Sequence, residues 1–385
     1  MLDLEFTTNL RNTVSVQNVN EYVRVAKDLK YQRFTKVLPS TTLKQTFVNL
    51  LEGAVIRDYG QDGGGVRFED QAIGSQSYIN HVFKSGWKES EYRFKDLDAS
   101  GIIGGEGIQL LSEWMRFVSA RAAYQPQHLS VLALRNGTST SMTVDGQVHE
   151  LVCYDGLPLF SQVHPYNFKR TSLGTFCNYF KGAPASTVAN NIGFLPLAGP
   201  FKKNASTGEW EYDADSSVSI EDAWENLWTM IVAIRAMKMA DGLTPRHLKA
   251  SGIVAGPRLL KALTTLLNAQ FIATAPGGST DIKATITALG LSEPIILDEL
   301  IGLSTAREEW DWYIVCEEAV NAATIGCINV GFNEPWTTKI FTSGSGAEGV
   351  NLELAIEDAV VAIGKMRMFV GVGQPQFIFK TEAPR

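Results

Sequence analysis

Apolar residues recur at three- and four-residue steps along several stretches of this chain. The clearest stretch runs from Glu106 to Tyr124, where Ile108, Leu111, Met115, Val118 and Ala122 share one side of a helix. Trp114 and Phe117 widen that apolar face. Pro126 suits the first turn of a following helical piece, which runs to Arg135 and stops near Gly137. The two pieces together predict a long, nearly continuous spine. Ser219 is placed to cap a second helix reaching Ala240, with Glu221 and Asp222 in its first turn. Its stripe is Ala223, Leu227, Met230, Ile234 and Met237. Pro257 opens a third, carrying Leu259, Leu260, Leu263, Leu266 and Leu267. Weaker helical patterns fall on Thr41–Leu51, with Leu43, Phe47 and Leu50 on one side, and near Leu352–Val361.

Elsewhere the period is two. Between residues 53 and 98, Val66 and Phe68 alternate with Arg67 and Glu69. Tyr78, Asn80 and Val82 alternate with Ile79, His81 and Phe83, and a third run covers Tyr92–Leu97. Residues 138–215 hold turns and short strands, residues 292–332 hold β-type runs, and Met366–Val372 and Gln376–Lys380 close the chain as strands. Helices and strands do not alternate in a strict βαβ rhythm, so the fold class is α+β, and a Rossmann fold or TIM barrel is disfavoured.

The segment 53–98 is rich in charge and glycine but poor in core-sized aliphatics. It reads as a long β-hairpin projecting from the body. An isolated hairpin is marginal in water, so this one is expected to pack against something else, naturally another subunit. The expected anchors are Phe68, Tyr78, Phe83 and Trp87, with Arg67, Glu69, Lys84, Lys88 and Glu89 as charges around them. On this reading, deleting residues 60–88 leaves a folded subunit that does not assemble.

Composition narrows the function by exclusion. The 385 residues are 45% hydrophobic and 19% charged, an ordinary globular balance large enough for two or three lobes. The N-terminus lacks the basic start and apolar block of a signal peptide, and the longest apolar runs are too short to cross a bilayer, so a soluble protein is expected. Net charge is −7, and no linear basic footprint of a dedicated nucleic-acid binder is visible. Cys153, Cys177, Cys316 and Cys327 include no C-x-x-C pair and are expected as buried thiols. Gly344, Gly346 and Gly349 spell G-x-G-x-x-G, but the acidic partner that a dinucleotide site requires is missing near Phe369. Gly63–Gly65 lacks the Gly-Lys-Ser/Thr of a P-loop. The five histidines form no metal-binding spacing, and His164 is expected to make a structural hydrogen bond. The adjacent acids Glu308–Glu309 and Glu317–Glu318 point apart and are expected in solvent. No catalytic residue, cofactor or metal is assigned.

Three blocks carry a resemblance. Gly156-Leu-Pro-Leu-Phe-Ser-Gln-Val-His164-Pro165 looks like a Leu-Phe…His-Pro segment of Mu-like phage major head subunits. Leu243-Thr-Pro-Arg-His-Leu248, followed by Gly256-Pro257-Arg-Leu-Leu-Lys-Ala-Leu263, is similar to a second block, and Trp310-Asp-Trp-Tyr-Ile-Val315 resembles a strand downstream. The resemblance implies the Hong Kong 97-type capsid fold of tailed bacteriophages. It implies an arm and leading helix at 1–52, an extended hairpin loop at 53–98 and a peripheral domain with the spine at 99–145. An axial domain at 146–340 and a return to the peripheral domain at 341–385 follow. It further implies a non-enzymatic major capsid protein that forms pentamers and hexamers of an icosahedral head. Such a shell is assembled in the bacterial cytoplasm and ends in the virion. The implied partners are further copies, a portal, separate scaffold and protease products, decoration proteins, and packaged double-stranded DNA by non-specific contact. An encapsulin-like compartment or another self-assembling phage protein is the alternative.

Overall fold

The computed structural model describes residues 20–50, 73–90, 106–182, 192–269, 271–275, 278–281, 286, 289–291, 293–301, 307–341 and 359–384. Two sheets and a long helix organise them. Near the N-terminus lie β1 (Lys36–Pro39), β2 (Lys44–Leu50), β3 (Ile73–Ile79) and β4 (His81–Ser90), followed by α1 (Glu106–Arg135). A small hairpin, β5 (Ser141–Val144) and β6 (Gln147–Glu150), follows the helix. Then come β7 (Tyr179–Lys181), β8 (Phe201–Lys203), β9 (Trp210–Tyr212) and α2 (Ile220–Arg235). Next are β10 (Ala250–Ala255), α3 (Leu260–Asn268), β11 (Ile295–Ile296) and β12 (Trp312–Cys316). Two fourteen-residue strands, β13 (Ile328–Phe341) and β14 (Ala359–Val372), precede the last strand β15 (Ile378–Glu382).

The four-stranded sheet has the order β1-β13-β14-β4, parallel at β1/β13 and antiparallel elsewhere. The five-stranded sheet has the order β11-β10-β12-β15-β7. Its central strand β12 is buried at every position, as expected where both faces of a sheet are covered. The chain therefore divides differently from the expectation of a 146–340 unit and a 341–385 return. β13 leaves the five-stranded sheet's territory at Ile328 to pair with β14, and β15 comes back to pair with β12. Pro335, which lacks an N–H, sits on β13 among its register shifts and beyond the last β1 partner, Phe332, where no ladder bond to β1 is lost.

Three local expectations are corrected. The Thr41–Leu51 stretch is not a helix: Lys44–Leu50 pairs antiparallel with Ile73–Ile79. Thr46, Phe47 and Val48 favour a strand, and Phe47 faces inward while Val48 is exposed, so period two prevails over the 4-and-3 spacing of Leu43, Phe47 and Leu50. Residues 73–90 do not form a free hairpin with one another. β3 pairs with β2, and after Asn80 the chain continues as β4, the edge partner of β14. Deleting 60–88 would remove β3 and most of β4, both of which pair within the chain, so its effect would not be confined to a projecting hairpin. Of the Leu352–Val361 pattern, Ala359–Val361 is strand, and the rest lies outside the described residues.

The spine is one helix of 30 residues, about 45 Å at 1.5 Å per residue. Pro126 lies inside it and cannot donate to Ala122, while Ser130 Oγ donates to the Pro126 carbonyl at 2.7 Å. Leu111 and Met115 pack with Ile340, Val360 and Ala362 of the four-stranded sheet, and Leu129 and Leu134 join the main core. Ser219 caps α2 by accepting from the Asp222 N–H, and the helix ends at Arg235, short of Ala240.

Tyr78 fixes the root of the β2–β3 ribbon. Its ring stacks on Phe369 at 4.7 Å and 6°, its hydroxyl donates to the Val372 carbonyl at 3.0 Å, and Asn329 Nδ2 donates to it at 3.0 Å. The stack needs two glycines. A Cβ at Gly371 would come within 2.4 Å of the Tyr78 ring, and one at Gly331 within 2.2 Å of Phe369. Tyr78→Ala is expected to cost about 3–5 kcal/mol, the range for removing a buried aromatic ring, and Tyr78→Phe about 1–2 kcal/mol for the lost hydrogen bonds. Denaturant unfolding of the isolated chain measures both; equal costs would contradict the ring's anchoring role.

Candidate subunit interface

Of the residues expected to bind a neighbour, Arg67, Phe68 and Glu69 lie outside the described residues. Tyr78 is 5% exposed and spent inside its own subunit, so the structure removes it as an intermolecular anchor. β4 alternates cleanly. His81, Phe83, Ser85, Trp87 and Glu89 are half-buried on the face toward α1, and Val82, Lys84, Gly86, Lys88 and Ser90 face away. Phe83 packs on the main core, and Trp87 lies 6.4 Å from Trp114 of α1. Both rings are thus largely engaged within the chain.

The apolar surface that is left uncovered lies elsewhere. On the outer side of the β2–β3 ribbon, Val48 is 62% exposed and Ile79 47%, with Leu43 at 58% beside its root. Along one flank of α1, Leu110 is 49% and Phe117 66% exposed, in line with half-buried Trp114. The α1 flank had a signal in the sequence, since Trp114 and Phe117 make the helix's apolar face wider than one sheet can cover. The ribbon had none while residues 41–51 read as a helix.

A groove of about 660 Å³ lies between β4, α1 and the β5–β6 turn. His81, Phe83, Arg121, Val144, Trp336 and Met366 are among its walls. Trp336 Nε1 donates to Ser119 Oγ of α1 at 3.2 Å, tying β13 to the helix. Inside the groove the His81 and His149 rings stack at 3.8 Å. Burial, and then the charge of His81, holds His149 down at about 4, and burial also lowers His81. Both rings are neutral at pH 7.

The five-stranded sheet carries a second polar cleft, and its ionic groups are satisfied by one another. Lys380, 3% exposed, has its Nζ 2.9 Å from Glu382 and 3.4 Å from Asp311. Tyr179 donates to Glu382 at 2.5 Å. Burial alone would lower the Lys380 pKa, but Tyr313, Asp311 and Glu382 outweigh it and hold the ammonium charged. His164 is fully buried, 2.6 Å from Asp155, the structural hydrogen bond expected of it. All four cysteines are buried and none is in a disulfide, and burial pushes the Cys177 and Cys327 thiols up to about 12, well away from the thiolate form needed for nucleophilic chemistry. The expectation for Glu308–Glu309 is corrected in part: Glu309 is buried and accepts from Arg258 at 2.5 Å, and Glu308 lies 3.8 Å from Arg135. Among the described residues no group of three or more metal-ligating side chains occurs. The G-x-G-x-x-G run and Gly63–Gly65 lie outside the described residues.

No protein-family description matches the sequence, and no curated protein does. Distant likenesses occur among solved structures. The chain is similar to the capsid of Myoviridae phage XM1, at 10% identity and a TM-score of 0.46, over 92% of this chain and 90% of that one. It is similar to the capsid of cyanophage P-SCSP1u, at 11% identity and a TM-score of 0.48, over 92% and 88%. It is similar also to a virus-like particle from Pyrococcus furiosus, at 10% identity and a TM-score of 0.42, over 96% and 98%.

The histidine pair generates a pH dependence. His149 has a folded pKa below its ordinary value of 6.5, so between about 4 and 6.5 the folded state binds fewer protons than the unfolded state. Its stabilising contribution is full above 6.5 and is lost as pH falls toward 4. A loss on the order of 2 kcal/mol is expected across that window. His149→Phe keeps the stacked ring and flattens the profile. Unfolding midpoints from pH 8 to pH 4 check this; parallel profiles for the two proteins would contradict it.

Proposed function

We propose that this chain is the major capsid protein of a tailed bacteriophage of the Mu-like kind, folded as a Hong Kong 97-type subunit that builds an icosahedral head. The observation that carries the reading is the β2–β3 ribbon. It is rooted in the subunit by the Tyr78–Phe369 stack, yet its outer side leaves Val48 and Ile79 in solvent. That side mixes Val48 and Ile79 with Lys44, Thr46, Ser75 and Ser77; a two-stranded ribbon is marginal by itself in water, and more copies of the same subunit are the economical cover. The three sequence blocks that resemble Mu-like head subunits support the same reading. So does the element order of strand arm, ribbon, 30-residue spine and second sheet.

In this reading the four-stranded sheet and α1 form the peripheral domain, and the five-stranded sheet with α2 and α3 forms the axial domain. Subunits joined head-to-tail about an axis close into rings, here pentamers and hexamers that tile the shell. The interface candidates become the ribbon's outer side, the segment carrying Arg67, Phe68 and Glu69, and the solvent face of β4 with Lys84 and Lys88. Phe83, Trp87 and Glu89 act from behind as supports for that strand. The chain performs no catalysis of its own. Portal, scaffold, protease and decoration proteins are its partners in the host cytoplasm, and the finished shell holds double-stranded DNA through non-specific contacts.

Residues 53–70, which connect the ribbon strands, give the direct test. Replacing them with a short Gly-Ser link spares β2, β3 and β4. The expected product is a soluble subunit with the wild-type unfolding midpoint that forms no closed shells by electron microscopy, under conditions where the wild-type chain does. Normal shells from this variant would refute the ribbon's role.

A further inference from the structure

The sequence carries no linear basic patch, but the fold builds one. On the four-stranded sheet, the face turned away from α1 is a grid of residues from three strands. Its rows across β13, β14 and β4 are Glu334–Arg367–Val82, Thr337–Lys365–Lys84, Lys339–Ile363–Gly86 and Phe341–Val361–Lys88. Among the described residues of this face five cations thus stand with one carboxylate, in a chain whose net charge is −7. Glu334 is taken up by Lys365 at 2.9 Å and Arg367 at 3.6 Å. No carboxylate among the described residues lies within ion-pair distance of Lys84 or Lys339, and both side chains are exposed. Lys84 and Lys365 are directly opposed on neighbouring strands. Like charges so placed destabilise a sheet, and an anionic surface laid across the grid relieves that cost.

A matching surface exists on the same chain. Between residues 204 and 234 there are seven carboxylates and no Lys or Arg. Glu209, Glu211, Asp213 and Asp215 lie around β9, where Lys202 of β8 stands opposite Glu211, whereas Glu221, Asp222 and Glu225 line the first two turns of α2. Glu211, Asp215, Glu221 and Glu225 are exposed. Beside them on α2, Trp228 is 43% and Val232 50% exposed. The grid has its own apolar members at Val82, 46% exposed, and Ile363, 38% exposed. Charge of opposite sign thus surrounds apolar side chains on both surfaces, the pattern of a polar rim around a drier centre.

We propose that the cationic face of the four-stranded sheet docks the acidic first two turns of α2 of a second copy of this chain, as a head-to-tail contact. The inference rests on the shell reading and names two surfaces that would meet in it. Such a contact is heterologous, with different patches on the two partners, and so propagates into a ring. It is also salt-sensitive, because its charges lie at the surface.

Charge reversal tests the pairing. Under conditions where the wild-type chain assembles, Lys84→Glu with Lys339→Glu is expected to lower the yield of particles by about tenfold or more. Glu221→Lys with Glu225→Lys is expected to do the same. Combining all four changes in one chain restores complementarity and is expected to recover most of the yield. If the combined chain does not fold, an equimolar mixture of the two reversed proteins takes its place, since each presents the face the other needs; because a five-membered ring cannot alternate two proteins, the mixture is read as association between them by analytical ultracentrifugation and not as shell yield. Far-ultraviolet circular dichroism and unfolding midpoints establish that each variant is folded. Wild-type assembly is also expected to weaken as ionic strength rises from about 0.1 M to about 1 M, where the screening length falls from ~10 Å to ~3 Å.

Reversed variants that assemble like wild type would overturn the inference, as would a combined variant or mixture no better than either reversal. Assembly unaffected while the lysine reversal abolishes binding to a DNA duplex would assign the grid to nucleic acid instead, and overturn it too. A wild-type chain that stays single under every condition overturns the shell reading and this inference together. Wild-type shells with unaffected reversals overturn this inference alone.

Discussion

The stack of Tyr78 on Phe369 is the contact on which the rest of the molecule's geometry turns. It joins strands nearly 300 residues apart in sequence, as its hydroxyl bond to Val372 also does. It decides where the β2–β3 ribbon leaves the four-stranded sheet. Because β3 and β4 are separated only by Asn80, it also sets the register with which β4 lies along β14. Glycine at 331 and 371 is the steric condition for the rings to lie flat on the sheet. A one-residue slip would turn every side chain of β4 to the other face. Phe83 and Trp87 would then point into solvent and the lysines toward α1.

That register divides labour between the two faces of one sheet. The inner face is closed by α1 through Leu111, Met115 and the Trp87–Trp114 contact. The outer face holds the cations, which repel one another within the subunit. The chain thus contains both a ribbon with exposed Val48 and Ile79 and a sheet face with more cations than carboxylates among the described residues. In the proposed shell, contacts between copies supply what the single chain lacks in each case. The buried ion network of Lys380, Glu382 and Asp311 is of the opposite kind. It is complete within the chain and holds β15 against its neighbours in the five-stranded sheet.

Much of this was legible in the sequence wherever a period was sustained over many residues. The spine, the start of the Ser219-capped helix, the helix after Pro257 and the strands at Trp312–Cys316 and Ile328 onward stand where the patterns put them. The failures have physical causes. Thr41–Leu51 offered Leu43, Phe47 and Leu50 at helical spacing, and only pairing with β3 reveals the two-residue alternation as the operative one. Tyr78 read as an exposed anchor because its partners, Asn329, Phe369 and Val372, are remote in sequence. The cationic grid was invisible for the same reason. Its members come from β4, β13 and β14, and only the ladder brings them into rows. Short-range patterns report local structure, whereas a sheet face is a property of strand order.

The central claim is that the ribbon is incomplete in the single subunit and is completed by surrounding copies. Backbone hydrogen exchange of residues 43–50 and 73–79, compared between the free subunit and the assembled particle, measures this directly. The account predicts strong additional protection of the ribbon on assembly, while the strands at the centre of the five-stranded sheet exchange equally slowly in both states. Ribbon amides already fully protected in the free subunit, with no change on assembly, would contradict it.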